Sequence, residues 1–129
     1  MIRNRVLEVR RFYAALLPGR EVEQIFVSET VNEDGQRILE NLSFFFGNVW
    51  CEAHNFQTED NFDLARIGQV SRFVLKRDEY TTGEATTRSR LSVNVFFEGD
   101  IAGVLKASSE NCDTLWLIVQ RYFLPSTTD

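Results

Sequence analysis

The sequence has few residues of the kinds that build reactive or metal-binding sites. Its 129 residues include two cysteines and one histidine. A structural zinc site needs four nitrogen or sulfur ligands, which these three side chains cannot supply. None of the seven glycines belongs to a phosphate-binding loop, a dinucleotide-binding fingerprint or a nucleophile elbow. The sequence therefore predicts no metal site, no cofactor, no catalytic residue and no enzymatic activity.

Long apolar runs are also absent. The longest, such as Leu115 to Val119, fall far short of the roughly 18 residues that a membrane-spanning helix needs. The N-terminal residues lack the uninterrupted apolar segment of a secretory signal. Together with the low cysteine content, these features favour a soluble, reduced protein in the cytoplasm.

Positive charge is scarce and unevenly placed. Fourteen Lys and Arg against nineteen Asp and Glu give a net charge of −5, which disfavours binding to nucleic acid or to an anionic membrane. Residues 1–20 carry a net charge of +4 and the rest carries −9. An acidic body suits a basic protein partner, so the charge predicts an inhibitor, adaptor or immunity-type protein that complements its target.

One amphipathic helix is predicted at each end of a single domain, 1–129. Residues 1–18 carry apolar side chains at the helical period, and Pro18 with Gly19 ends the helix. Ser108 or Ser109 is expected to cap a second helix over 108–124, which Pro125 stops, leaving a tail at 125–129. Because this helix is apolar almost all round, it should be enclosed by the fold or shared with a partner.

Between residues 22 and 107 the apolar period changes to two, which is typical of antiparallel strands. A Gly47-Asn48 hairpin is expected between the second and third strands, and a Glu98-Gly99-Asp100 turn before the last strand. Residues 78–88 are expected to form a long hairpin loop with a mobile tip, and residues 62–67 an edge strand or a helical turn. The other predicted strands cover 22–31, 37–46, 49–56, 69–77, a segment around 91–97, and 101–107.

Strands between two terminal helices predict an α+β fold. From about residue 22 to 124 this order resembles that of pleckstrin-homology-like domains. The resemblance implies a strongly bent antiparallel sheet or barrel of six to seven strands, with an N-terminal amphipathic helix and a C-terminal capping helix. A nuclear-transport-factor-like cone and the sandwich of secretion chaperones remain alternatives.

The resemblance also implies a place for a protein partner. Members of this superfold bind peptides between a strand and the C-terminal helix by adding a segment to a sheet edge. The acidic loop Asn32–Arg37 opposes the phosphoinositide binding seen in other members. In this sequence the groove would involve Arg72, Val74 and Lys76 on the strand, and Leu117, Ile118, Arg121 and Leu124 on the helix.

Aromatic side chains suggest a second surface. If Val49, Cys51 and Ala53 face inward, then Trp50 and Phe56 face outward, as Phe45 and Phe96 would on their own strands. An outer face of this kind needs a cover, which either the N-terminal helix or a second copy in a homodimer would provide.

The alternative function is a carrier or cone-shaped enzyme with an apolar pocket lined by Phe44, Phe46, Val93 and Val95. A catalytic cysteine–histidine pair within one strand is disfavoured, because Cys51 and His54 are an odd number of residues apart and face opposite sides. An approach of Cys112 to His54 through the fold is the alternative.

Overall fold

The fold begins with a helix and ends with one, as predicted. The computed structural model describes residues 2–32, 34–81, 87–97 and 100–127. The C-terminal helix consists of α2 (Asn111–Ile118), a π-helical segment (Val119–Phe123) and α3 (Leu124–Thr127). The remaining elements are α1 (Ile2–Leu16), β1 (Gln24–Val31), β2 (Arg37–Phe46), β3 (Val49–His54), β4 (Asn61–Arg66), a 3₁₀ turn (Ile67–Gln69), β5 (Arg72–Thr81), β6 (Thr87–Phe97) and β7 (Asp100–Ser108).

The strands form two antiparallel sheets. The first has the order β1-β2-β3-β4 and the second the order β5-β6-β7. The sheets meet where β7 passes β1, and there the Lys106 backbone N–H donates to Ser28 Oγ (3.3 Å). The 3₁₀ turn Ile67–Gln69 connects β4 to β5, and each of these strands lies at the end of its sheet. The fold is therefore α+β with seven antiparallel strands, as predicted. The expectation of a single bent sheet or a closed barrel is wrong, because the strands form two sheets.

Both faces of the first sheet are apolar and buried. Alternation along β2 sends Phe44 and Phe46 toward α1, whereas Phe45 points to the opposite face and stacks on Tyr122 of the C-terminal helix. The α1 side is a cluster of Val9, Tyr13, Leu42, Phe44, Phe46, Val49, Cys51, Ala53 and Phe56. The opposite side is a cluster of Phe26, Phe45, Trp50, Ile67, Val70, Leu91, Val93, Val95, Leu105, Ala107, Leu115, Ile118, Val119, Tyr122 and Phe123.

The expectation that Trp50 and Phe56 face outward is wrong, because they are only 3% and 0% exposed. The C-terminal helix covers Trp50, whose ring lies against Phe123. Phe56 follows Asn55, which has a φ of 48°, and packs in the α1 cluster. The chain therefore supplies both covers itself. The predicted lining of the apolar pocket is also wrong, because Phe44 and Phe46 lie in one cluster and Val93 and Val95 lie in the other.

A β-bulge reverses the faces of β2 partway along. Val27 pairs with Leu42 and Glu29 with Leu39, so two residues of β2 oppose Ser28 alone. One extra residue moves the following side chains to the other face. Leu39 consequently packs against the α1 cluster, whereas Ile38 is exposed.

The predicted start and end of the C-terminal helix are wrong. The Ser108 hydroxyl donates to Glu29 (2.9 Å), and Ser109 has a φ of 54°, so neither serine caps the helix. The helix begins at Asn111 instead. Pro125 does not end it, because the helix continues through this residue as α3.

The β5–β6 hairpin is longer than predicted. Most of the polar run 78–88 belongs to strands, since β5 reaches Thr81 and β6 begins at Thr87. Arg90 and Asp78 hold this extension together through two hydrogen bonds (3.0 and 3.3 Å). The edge strand predicted at 62–67 is present as β4 (Asn61–Arg66). The expected mobile tip at 82–86 and the turn at 98–99 lie outside the described residues.

Gly103 gives a direct test of how the two sheets pack. A Cβ at this position of β7 would overlap the Trp50 ring, which is confined between Phe45 and Phe123. Gly103→Ala should lower the free energy of unfolding by about 1–3 kcal/mol in urea denaturation. Gly68→Ala is the control, because a Cβ there meets nothing within 4 Å. Equal losses in the two variants would contradict this packing.

Candidate functional site

An apolar groove lies between β5 and the C-terminal helix. It has a volume of about 200 Å³. Its wall on β5 is formed by alternate residues, because Phe73, Leu75 and Arg77 share the face that points toward the helix. The lining residues are Leu75, Arg77, Leu91, Cys112, Asp113 and Trp116. The groove is therefore apolar at its centre, with an arginine and an aspartate beside it.

The strand beside this groove is open along its outer edge. Within the part of the chain that the structure describes, β5 forms a strand ladder only with β6. The ten residues of β5 make it long for an exposed edge strand, which is a template for pairing with another chain. Leu75 of this strand and Trp116 both line the groove, and Trp116 remains 45% exposed, so the groove adjoins the edge strand and is open to solvent.

The Cys112 thiol adds apolar lining to the groove. It lies 3.6 Å from the Ser89 carbonyl oxygen, and burial is the main cause that raises its pKa above the ordinary value. A thiol with a raised pKa is a weak nucleophile at neutral pH. Cys112 therefore contributes surface for contact.

The sequence predicted a groove between a strand and the C-terminal helix, and one is present with a different lining. The difference on the strand is one residue, because Phe73 packs against Phe123 (6.3 Å between ring centroids). This contact turns Leu75 inward and places Arg72 and Val74 on the outer face of the second sheet. On the helix, the lining residues Cys112 and Trp116 lie five residues and one residue before Leu117, the first of the predicted residues.

The predicted helix residues differ in exposure. Ile118 is buried in the core, whereas Leu117 is 65% exposed. Arg121 forms an ion pair with Glu23 (3.2 Å), and Leu124 is exposed at the start of α3. None of these four residues lines the groove. Their part in binding stays a prediction.

A second cluster of polar side chains lies on β3 and β4. His54 Nε2 is 2.6 Å from Asp63 Oδ2, and its Nδ1 is 3.3 Å from Glu52 Oε1. Glu52 is only 4% exposed and receives the Ser43 hydroxyl at 3.5 Å. Sequence reasoning missed this cluster, although Glu52 and His54 are two residues apart in a strand and so share a face.

Burial sets the protonation of Glu52. It raises the pKa of this carboxyl to about 7, against the opposing attraction of His54. The Glu52 carboxyl therefore changes its protonation near neutral pH. Because Glu52 of β3 pairs with Asp63 of β4, this change affects the stability of the first sheet.

The buried Cys51 and the histidine of the same strand do not face each other. Cys51 lies in the α1 cluster, on the face opposite His54, and burial raises its pKa to about 12. Among residues 2–32, 34–81, 87–97 and 100–127, no group of three or more Cys, His, Asp or Glu side chains could hold a metal ion. No helix of the described chain is long and apolar enough to cross a membrane.

Comparison with known proteins adds no assignment. No family model matches the chain, and no match was found among curated proteins or among solved structures.

The protonation of Glu52 makes stability depend on pH. Its pKa is higher in the folded state, so between pH 4.5 and about 7 the folded protein holds a proton that the unfolded chain has already lost. This group therefore destabilises the fold as the pH rises through that window. We expect Glu52→Gln to gain roughly 2–3 kcal/mol in unfolding free energy relative to the unsubstituted protein between pH 4.5 and 8.

Chemical denaturation at several pH values measures this difference. Glu21→Gln is the control, because Glu21 is exposed and its substitution should leave the pH profile unchanged. A Glu52→Gln profile parallel to that of the unsubstituted protein would show that Glu52 is ionised in the folded state.

Proposed function

We propose that this protein is a non-enzymatic interaction module that binds an extended segment of another protein along β5. The segment adds a fourth strand to the second sheet and places apolar side chains in the groove beside Trp116. The observation that carries the proposal is the open edge of β5 next to an apolar groove. Strand addition is a common way to bind an extended peptide, because backbone hydrogen bonds supply affinity and side-chain grooves supply specificity.

The architecture supports the same proposal. The chain has a sheet of four strands, a sheet of three strands and a C-terminal helix that packs against both. This arrangement is compatible with the pleckstrin-homology-like order. In that superfold the strand beside the C-terminal helix is a site of peptide binding. We extend the likeness to this chain as part of the proposal, with α1 as an additional layer on the outer face of the first sheet.

Peptide selection tests the proposal without a known partner. A displayed library of random peptides about as long as β5 is selected on the full chain, and the enriched peptides are titrated into isotope-labelled protein. We expect amide shifts along β5 and α2. Leu75→Ala and Trp116→Ala should each weaken binding by about tenfold, because each removes a large side chain from the groove.

Leu64→Ala is the matched control, since Leu64 is an exposed apolar residue on β4, the edge strand of the other sheet. The affinity of the Leu64→Ala variant for the selected peptides should equal that of the unsubstituted protein. The proposal fails if both groove variants keep full affinity, or if the shifts lie on β4 and α1.

A homodimer through β4 is the second candidate. Phe12 of α1 lies against Phe62 of β4 (4.5 Å between ring centroids), yet Phe12 remains exposed. Leu64 is also exposed, on the same face of β4 as Phe62. An edge strand with apolar neighbours can pair with its own copy across a two-fold axis.

Light scattering on the full chain tests this candidate. A dimer that Leu64→Asp converts to a folded monomer would support pairing through β4, because the substitution places a like-charged pair near the symmetry axis. A monomer at every concentration would exclude it.

A further inference from the structure

The side chains of β5 alternate between two chemically different surfaces. Phe73 and Leu75 face the helix, and Phe73 packs against the core. Arg72 and Lys76 face the opposite side, where Arg72 lies over the Phe96 ring (4.4 Å to its centroid). A strand added to β5 would alternate in step, because residues directly opposite one another share a face of the sheet.

The outer face of the second sheet is strongly cationic. In the described part of the chain it carries five cationic side chains and one carboxylate, that of Asp78, which Arg90 engages at 3.0 Å. Lys106 reaches Glu40 of the first sheet at 3.6 Å. The five cations are Arg72, Lys76, Arg88, Arg90 and Lys106, which follow from the strand register.

Two of these cations are on the edge strand, where Lys76 lines a cleft with Asp78 and with Glu29 of the first sheet. Arg72 and Lys76 form no ion pair with any described residue. Both are exposed, and they flank Phe73 and Leu75, the residues of β5 that face the helix. In a chain with a net charge of −5, this is a local reversal of sign at the place where we propose that a segment binds.

We infer that the partner segment alternates apolar and acidic residues. Its apolar side chains occupy the positions opposite Phe73 and Leu75, and its acidic side chains occupy the outward positions opposite Arg72 and Lys76. The inference rests on the proposed function, and it gives that function a ligand class. It also reverses the expectation from net charge, because a basic segment would meet like charges on β5.

Three synthetic peptides of equal length test the inference: Val alternating with Glu, with Gln or with Lys. Binding to the full chain is measured by fluorescence anisotropy at several salt concentrations. We expect the Glu peptide to bind most tightly and the Lys peptide most weakly. Only the Glu peptide should lose affinity as salt rises, because screening weakens contacts between exposed charges.

Single substitutions separate charge from strand pairing. Lys76→Gln should weaken binding of the Glu peptide by up to about fivefold and leave the Gln peptide unaffected. Lys76→Glu should improve binding of the Lys peptide. Arg66→Gln is the matched control, because Arg66 is an exposed cation on β4, and it should change neither affinity.

The outcomes distinguish the inference from the function on which it rests. Equal affinity of the Glu and Gln peptides, with amide shifts on β5, would overturn the acidic preference and keep the binding edge. Tightest binding of the Lys peptide would overturn the acidic preference in favour of a basic partner. Failure of all three peptides to bind would overturn both proposals.

Discussion

The first sheet is apolar on both faces, and this constraint organises the rest of the molecule. Consecutive aromatic residues in β2 point in opposite directions, Phe44 toward α1 and Phe45 toward Tyr122. Each face needs a cover, because large aromatic side chains contribute most when they are removed from water. Helix α1 covers one face, and the C-terminal helix with the second sheet covers the other.

This arrangement also determines what stays exposed. The C-terminal helix uses Leu115, Ile118 and Phe123 to fill the core, so Trp116 and Leu117 remain on its outer surface. The second sheet uses β7 to approach Trp50, and Gly103 permits that close contact. Among the described residues, its far strand, β5, has a neighbouring strand on one side only. The groove thus results from the way the C-terminal helix and the second sheet pack to form the core.

Local patterns predicted the elements well because they depend on neighbouring residues. The Gly47-Asn48 turn and the alternation of Leu91, Val93 and Val95 lie where expected. Face assignments failed where long-range contacts decide them. No local signal shows that Trp50 would be covered by a helix far along the chain, or that the bulge opposite Ser28 would turn Ile38 outward.

The site was predictable in kind and only partly in detail. A groove between a strand and the C-terminal helix followed from the order of elements, but its lining depends on which face of β5 turns inward. The contact between Phe73 and Phe123 settles that choice, and it joins residues that are distant in sequence. The cationic outer face could be recognised only from the register of three strands, and the net negative charge of the chain gave no sign of it.

Amide hydrogen exchange along β5 and β6 tests the central claim, that β5 is an open edge to which a segment adds. In the free protein, every second amide of β5 should exchange rapidly, whereas the amides of β6, which has a strand on each side, should be protected. Addition of the peptide of alternating Glu and Val should slow the rapid β5 amides. Uniform protection of β5 before any peptide is added, or no change after it binds, would contradict the account.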